Sequence, residues 1–237
     1  MGAPDLSREE ISRIFRNIND AYDYMTQQVL PRREHPSGDL ISDLVSPGEG
    51  DYQLTLDEVL QVLVQLLVAG SEATSNLLTA TMLVLLSNRS ISGKLRDRAL
   101  LPNFIEEVLR LEPPVQGQFR TATEDTVLGG QSIPAGSHLY LLFASANRDP
   151  SIYEHPHSWQ FESDRAPSHL SFGQGEHFCL GAPLARLETR VGVETLLERM
   201  PDLELAVPPD EVQYLQSFVL HAITSLPLLN RATAPKA

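Results

Sequence analysis

The chain has 237 residues, with 18 Lys and Arg against 31 Asp and Glu, a formal charge of −13 and a single cysteine. That length supports one good-sized core, the acidic balance argues against nucleic acid and anionic membrane as partners, and one thiol excludes an intrachain disulfide. No charged-then-apolar leader opens the sequence and no apolar run is long and clean enough to span a bilayer, so the reducing cytoplasm is the expected compartment.

The first predicted helix covers 8–30, where Ile11, Ile14, Phe15, Ile18, Tyr22, Met25 and Val29 recur at helical spacing. Pro31 to Gly38 reads as a break, Asp39 to Val45 as a short helix, and Ser46 to Tyr52 as a loop. Thr55-Leu56-Asp57-Glu58 is a capping box. It opens a long predicted helix over 56–86, about 45 Å at 1.5 Å per residue. Val59, Leu60, Val62, Leu63, Val64, Leu66, Leu67 and Val68 make it apolar nearly all round, the pattern of a buried helix. Gln61, Gln65, Glu72 and Asn76 interrupt it too often for a membrane span. Midway lies Ala69-Gly70-Ser71-Glu72-Ala73-Thr74. Glycine in a helix costs about 1 kcal/mol relative to alanine, so this segment has another use for small residues, such as room for a flat ring.

A further helix is predicted over 102–111, opened by Pro102-Asn103 and carrying Glu107 and Arg110 three positions apart on one face. On the surface such a pair is worth little. The stretch 119–145 has hairpin chemistry, with short apolar runs punctuated by Gly129-Gly130 and Pro134-Ala135-Gly136. Glu154-His155-Pro156-His157 invites a zinc assignment, but the intervening proline and the lack of further ligands nearby make it a surface loop.

The only cysteine sits in the loop 172–181, Phe172-Gly173-Gln174-Gly175-Glu176-His177-Phe178-Cys179-Leu180-Gly181. Two glycines before it permit a tight turn and a close approach of backbone to a flat partner. Ala182-Pro183 then opens a helix predicted over 182–200. A thiol just before a helix N-terminus faces exposed N–H groups and the positive end of the dipole, a setting suited to the anionic sulfur that binds metals. Leu203 to Val207 and Ser225 to Leu229 read as short strands, and Thr233 to Ala237 as a frayed tail.

The pattern F-G-x-G-x-H-x-C-L-G resembles the haem-binding loop of the cytochromes P-450. The resemblance makes Cys179 the axial thiolate ligand of haem iron, a ligation that favours O–O cleavage. It continues upstream. Glu107 and Arg110 match the family's structural E-x-x-R pair, which ties its helix to the loop under the haem. The third member of that network, usually Arg or His, falls here at Gln160. Arg120, in Phe119-Arg120-Thr121, corresponds to a propionate partner, and His177 to a residue at the other propionate region. Phe172, Gly173 and Gly181 belong to the haem-binding loop, and Ala69 and Gly70 to a segment against which the ring lies. Glu72 and Thr74 match the oxygen-binding segment A-G-x-(D/E)-T-T, whose acid and following threonine relay protons. Here Ala73 follows Glu72, and a shift of one position turns a side chain by about 100° around the helix.

The implied fold is mainly α with small antiparallel β-sheets, a single haem-binding domain over 1–237 corresponding to the C-terminal part of the family fold, without the N-terminal portion. The implied function is that of a soluble, bacterial-type haem-thiolate monooxygenase, inserting oxygen into a small organic substrate of natural-product type. Electrons would come from a ferredoxin or flavoprotein. Alternatives are a haem-dependent peroxygenase, a rearrangement or cyclisation enzyme, and a non-catalytic partner that stabilises a biosynthetic enzyme. The long helix is apolar on faces that the N-terminal portion covers in relatives, so a second copy of the chain or a separate protein is expected to cover them.

Overall fold

The computed structural model describes residues 7–48, 52–163 and 168–231. The expected tail at Thr233 to Ala237 and the centre of the loop at Ser46 to Tyr52 lie outside the described residues. The chain divides into two compact units, Met1–Ser71 and Glu72–Ala237.

In the first unit, helix α1 (Arg8–Glu34) starts at Ser7, whose hydroxyl accepts from the Glu10 N–H at 3.2 Å while Glu10 accepts from the Ser7 N–H at 2.8 Å. Acids in its first turn and Arg32 and Arg33 in its last complement the dipole. The break expected over Pro31 to Gly38 begins later, at His35: α1 continues through Pro31 to Glu34. Proline removes only the bond to the carbonyl four residues back, and Gln27 is exposed, so water can satisfy that oxygen. Helix α2 (Leu40–Val45) is capped by Asp39, which accepts from the Ser42 N–H at 2.9 Å and from Arg32 at 2.6 Å. The Ser42 N–H and the Arg32 guanidinium hold the Asp39 carboxyl well below the usual range. Val29, Val45, Val59, Leu60 and Leu63 form the small core. Ile11, Ile14, Phe15 and Ile18 remain exposed, so the apolar stripe of α1 is buried only near its C-terminal end.

Helix α3 (Leu56–Ser87) opens as the sequence predicts, with Glu58 accepting from the Thr55 N–H at 2.8 Å and Thr55 Oγ1 accepting from the Glu58 N–H at 3.3 Å. It is not buried throughout. Val59, Leu60 and Leu63 are covered near one end, and Leu77, Ala80, Met82, Leu83 and Leu85 near the other. Every residue from Gln65 to Glu72 is exposed. All-round hydrophobicity marks a helix that needs cover on every side, and this chain supplies cover only at the two ends.

The second unit is built on α4 (Arg89–Lys94), α5 (Leu101–Leu111), the single turn α6 (Phe143–Ala146) and α7 (Ala182–Arg199). Its core joins Leu77, Met82 and Leu85 of α3 to Leu101, Phe104, Ile105, Val108 and Leu109 of α5 and Val193 of α7. Phe104 packs edge-on against Phe161, ring centroids 5.2 Å apart. Gly192 brings α7 tight against α3, since a Cβ there would stand 3.1 Å from the Leu78 side chain.

Four two-stranded antiparallel ladders complete this unit among the described residues. β1 (Gln118–Thr121) pairs with β4 (His138–Leu141), enclosing β2 (Thr126–Leu128) paired with β3 (Gln131–Ile133). Gly129 and Gly130 turn the inner hairpin with φ of 57° and 79°, conformations that other residues adopt reluctantly. β5 (Leu203–Leu205) pairs with β8 (Leu228–Asn230), and β6 (Gln213–Tyr214) with β7 (Ile223–Ser225). The single strand expected over Ser225 to Leu229 is therefore two strands. Pro227, which has no N–H to give a ladder, separates them. Mainly helical with small antiparallel sheets, the fold class is the one the sequence implies. No helix among the described residues is long and apolar enough to cross a membrane.

Candidate functional site

The cysteine loop is folded by its own backbone. The Gly173 N–H donates to the Leu170 carbonyl at 2.8 Å, the Phe178 N–H to Gly175 at 3.0 Å, and the Cys179 N–H to Phe172 at 2.9 Å. Gly173 and Gly175 adopt φ of 70° and 79°, which lets the chain reverse twice in a few residues. The loop ends at α7, whose first turn holds Pro183 and whose preceding residue is Gly181. A Cβ on Gly181 would lie 3.9 Å from the Cys179 sulfur. Cys179 is exposed, as are His177, Phe178 and Leu180, the last at 88%. The loop thus presents a sulfur flanked by bare apolar side chains.

Beneath the loop lies a buried polar foundation. Arg110 donates to both oxygens of Glu107, at 2.8 and 2.6 Å. Its remaining N–H groups reach the carbonyls of Asn147 and Pro156 at 2.9 Å and of Ser158 at 3.0 Å. The Tyr153 ring lies 4.8 Å from the guanidinium. A surface ion pair is thereby ruled out: this one ties α5 to the meander between α6 and the cysteine loop. Gln160, which stands where the network's third member is usually Arg or His, contributes its backbone, whose N–H donates to Glu107 at 2.8 Å. Asn147 carries the connection onward. Its side chain accepts from the Leu170 N–H at 2.7 Å and donates to Ser171 Oγ at 2.9 Å, and Ser171 in turn donates to the Leu109 carbonyl.

A second network, centred on Glu106, escaped the sequence reading. Arg186 of α7 donates to its two oxygens at 2.6 and 2.7 Å, and His169 shares a hydrogen bond with it at 3.1 Å. The Arg186 guanidinium also lies over the Phe172 ring, 4.5 Å from its centroid. Burial pushes the Glu106 carboxyl up, but Arg186 and His169 outweigh it and hold it at about 2. The available signal was the doubled acid Glu106-Glu107 in α5: successive helix positions point about 100° apart, so the two acids face different neighbours.

The other predicted residues are placed as follows. Arg120 is exposed on β1, and its guanidinium bonds the Phe119 carbonyl at 2.8 Å and the neutral Gln118 side chain at 3.3 Å. His177 ends a single exposed 3₁₀ turn, Gly175–His177. Ala69 and Gly70 are exposed on α3, with open space where a Gly70 Cβ would stand. Glu72 is exposed, not the acid on a buried helix that the sequence predicts, and Thr74 is half-buried. Neither shares a hydrogen bond with the cysteine loop among the described residues.

The donor set fits a haem. No three His, Cys, Asp or Glu among the described residues cluster to hold a metal ion. One exposed thiol therefore suits a metal whose remaining ligands come from a macrocycle rather than from the protein. The bare Phe178 and Leu180 suit an apolar ring face, and the guanidinium of Arg120 suits carboxylate substituents.

The model of the family described as Cytochrome P450 matches residues 5–222. Polyketide biosynthesis cytochrome P450 PksS of Bacillus subtilis (strain 168) is 41% identical over 225 residues, which cover 94% of this chain and 54% of that protein. Cytochrome P450 monooxygenase PikC of Streptomyces venezuelae is 40% identical over 208 residues, covering 86% of this chain and 51% of PikC. The solved structure of PksS superposes with a TM-score of 0.89 at 38% identity, over 96% of this chain and 59% of that one. The chain thus spans about half the length of the curated relatives it matches.

Proposed function

The chain belongs to the cytochrome P450 family, a haem-binding family, and from that premise we propose that it is the haem-thiolate portion of an oxidoreductase that inserts oxygen into small organic substrates. The observation that carries this reading is Cys179: an exposed sulfur, at the end of a glycine-turned loop, fixed from below by the Glu107–Arg110 foundation.

Cys179 would hold the iron. Bound there, haem supplies the oxidative chemistry, and thiolate ligation favours O–O cleavage. The chain's own residues do the positioning. The Phe172–Cys179 backbone bond and the Ser171–Leu109 bond keep the sulfur from drifting. Arg120 and His177 serve the carboxylate substituents, with Phe172, Gly173 and Gly181 shaping the loop. Ala69 and Gly70 would give a flat ring room along α3. Glu72 is the group that carries a proton at its carboxylate, with Thr74 as the nearest hydroxyl after it along the helix.

PksS is named for polyketide biosynthesis and PikC as a monooxygenase. The substrate class we assign is accordingly a natural-product intermediate. A ferredoxin or flavoprotein would deliver electrons. Ala73 in place of a hydroxyl residue supports a second reading, a peroxygenase or a rearrangement enzyme that needs no dioxygen relay. Turnover with peroxide alone, without redox partners, separates the two. The exposed apolar residues of α3 and α1 support a covering partner, either a second copy of this chain or a separate polypeptide.

The deciding experiment is to express the chain with a haem supply, reduce it, add carbon monoxide and record the Soret band. The strongly red-shifted band of thiolate ligation is expected, and Cys179→Ala should abolish it. A wild-type chain that takes up no haem, or one whose band is unmoved by Cys179→Ala, overturns the reading.

A further inference from the structure

The two adjacent acids of α5 have different occupations. Glu107 is buried with Arg110 in the foundation, whereas Glu106 holds Arg186 against the cysteine loop. We propose that Arg186, fixed in place by Glu106, is a positioning residue that tunes the Cys179 thiolate: a cation held on the Phe172 ring of the cysteine loop, which makes the bound iron easier to reduce. This rests on Cys179 being the haem ligand.

Three observations fix the cation. First, its contact with Glu106 is bidentate, at 2.6 and 2.7 Å, a geometry that lysine could not reproduce. Second, the guanidinium lies over Phe172, 4.5 Å from the ring centroid, and the carbonyl of that same Phe172 receives the Cys179 N–H. Third, Glu106 is itself pinned by His169. The Nδ1 of His169 accepts from the Ser171 N–H at 3.2 Å, so its Nε2 carries the hydrogen that faces Glu106. Phe172 thus touches both groups: its ring carries the guanidinium and its carbonyl the Cys179 N–H. A cation near an electron-rich ligand favours the reduced, more negative iron–thiolate pair.

A purely structural ion pair that keeps the loop in shape would also join these residues. The signs of two substitutions distinguish the roles. Arg186→Gln removes the cation and leaves the acid, so the midpoint potential of the haem-loaded chain should fall. Glu106→Gln removes the acid and leaves the cation, so the potential should rise. Each change is expected at about tenfold in the one-electron equilibrium, ~59 mV. Arg186→Lys, which keeps the charge without the fork, should stay closer to wild type than Arg186→Gln. Both substitutions break the same ion pair, so a merely structural role would move the two potentials in the same direction. That result, or no movement in either, overturns the proposal. Should Arg186→Gln fail to fold, Arg186→Met, which also removes the charge, takes its place beside Glu106→Gln: a fall supports the proposal, and a rise or no change overturns it. A wild-type chain that never loads haem overturns this proposal together with the assignment of Cys179, whereas a loaded wild type with unmoved variants overturns only the tuning.

Discussion

Arg110 grips both oxygens of Glu107 with the side chains 2% and 0% exposed, and each of its remaining N–H groups meets a main-chain carbonyl. A guanidinium so placed has no partner to spare. Removing one member leaves the other charged and dry. Arg110→Ala or Glu107→Ala should therefore cost about 3–5 kcal/mol of stability. Arg110→Lys should recover little of it, because an ammonium cannot reach two oxygens and three carbonyls in one plane. Urea unfolding of the three variants, followed by circular dichroism, checks this. A loss below 1 kcal/mol would place the pair among ordinary surface contacts, for which about that value is the upper range.

The Glu106 cluster predicts an acid response. The carboxyl sits at about 2 in the folded chain against an ordinary 4.5. A depressed folded value means that the group stabilises the fold fully above the ordinary value and progressively loses that contribution as pH falls toward the folded one. Between about pH 4.5 and 2 the wild type should thus lose stability relative to Glu106→Gln. Urea midpoints of the two proteins across that window provide the measurement. Parallel curves would exclude Glu106 as the source.

Gly173 turns the cysteine loop at φ 70°. A side chain there meets strain of about 1–2 kcal/mol from its own backbone. Gly173→Ala should keep the fold, since its space is open apart from the His177 carbonyl 3.8 Å away, and should weaken haem retention through the displaced sulfur. The ratio of Soret to protein absorbance after gel filtration reads this directly, alongside the melting temperature.

An apolar groove of about 260 Å³ lies between Ile14, Ile18 and Ala21 of α1 and Val64, Leu67 and Val68 of α3. Leu67 and Val68 are 51% and 57% exposed, so charging them removes little packing. The double substitution Leu67→Glu and Val68→Glu should change stability by about 0.5 kcal/mol or less at each position. It should also sharply reduce binding of an environment-sensitive hydrophobic dye and any self-association seen by light scattering.

Local chemistry was the most legible part of the sequence. The Thr55–Glu58 capping box, the Gly129-Gly130 hairpin and the Pro183 helix start each depend on residues a few positions apart, and each appears where the sequence puts it. The E-x-x-R spacing located the Glu107–Arg110 pair, but its burial depends on carbonyls up to 48 positions away, which no local pattern encodes. The Glu106–Arg186 clamp spans 80 positions and joins two helices of ordinary sequence. Pro31 misled because its effect depends on whether water can reach one carbonyl. The middle of α3 misled for the opposite reason: hydrophobicity states what a helix requires, and only the rest of the fold determines whether the requirement is met.

Gln160 contributes to the foundation through an atom that every residue but one possesses. Drift at that position is therefore nearly free, and a lineage can exchange glutamine there for almost anything without loosening the sulfur's support. Proline alone is barred, since it would strip one of the two hydrogens that this buried Glu107 oxygen receives.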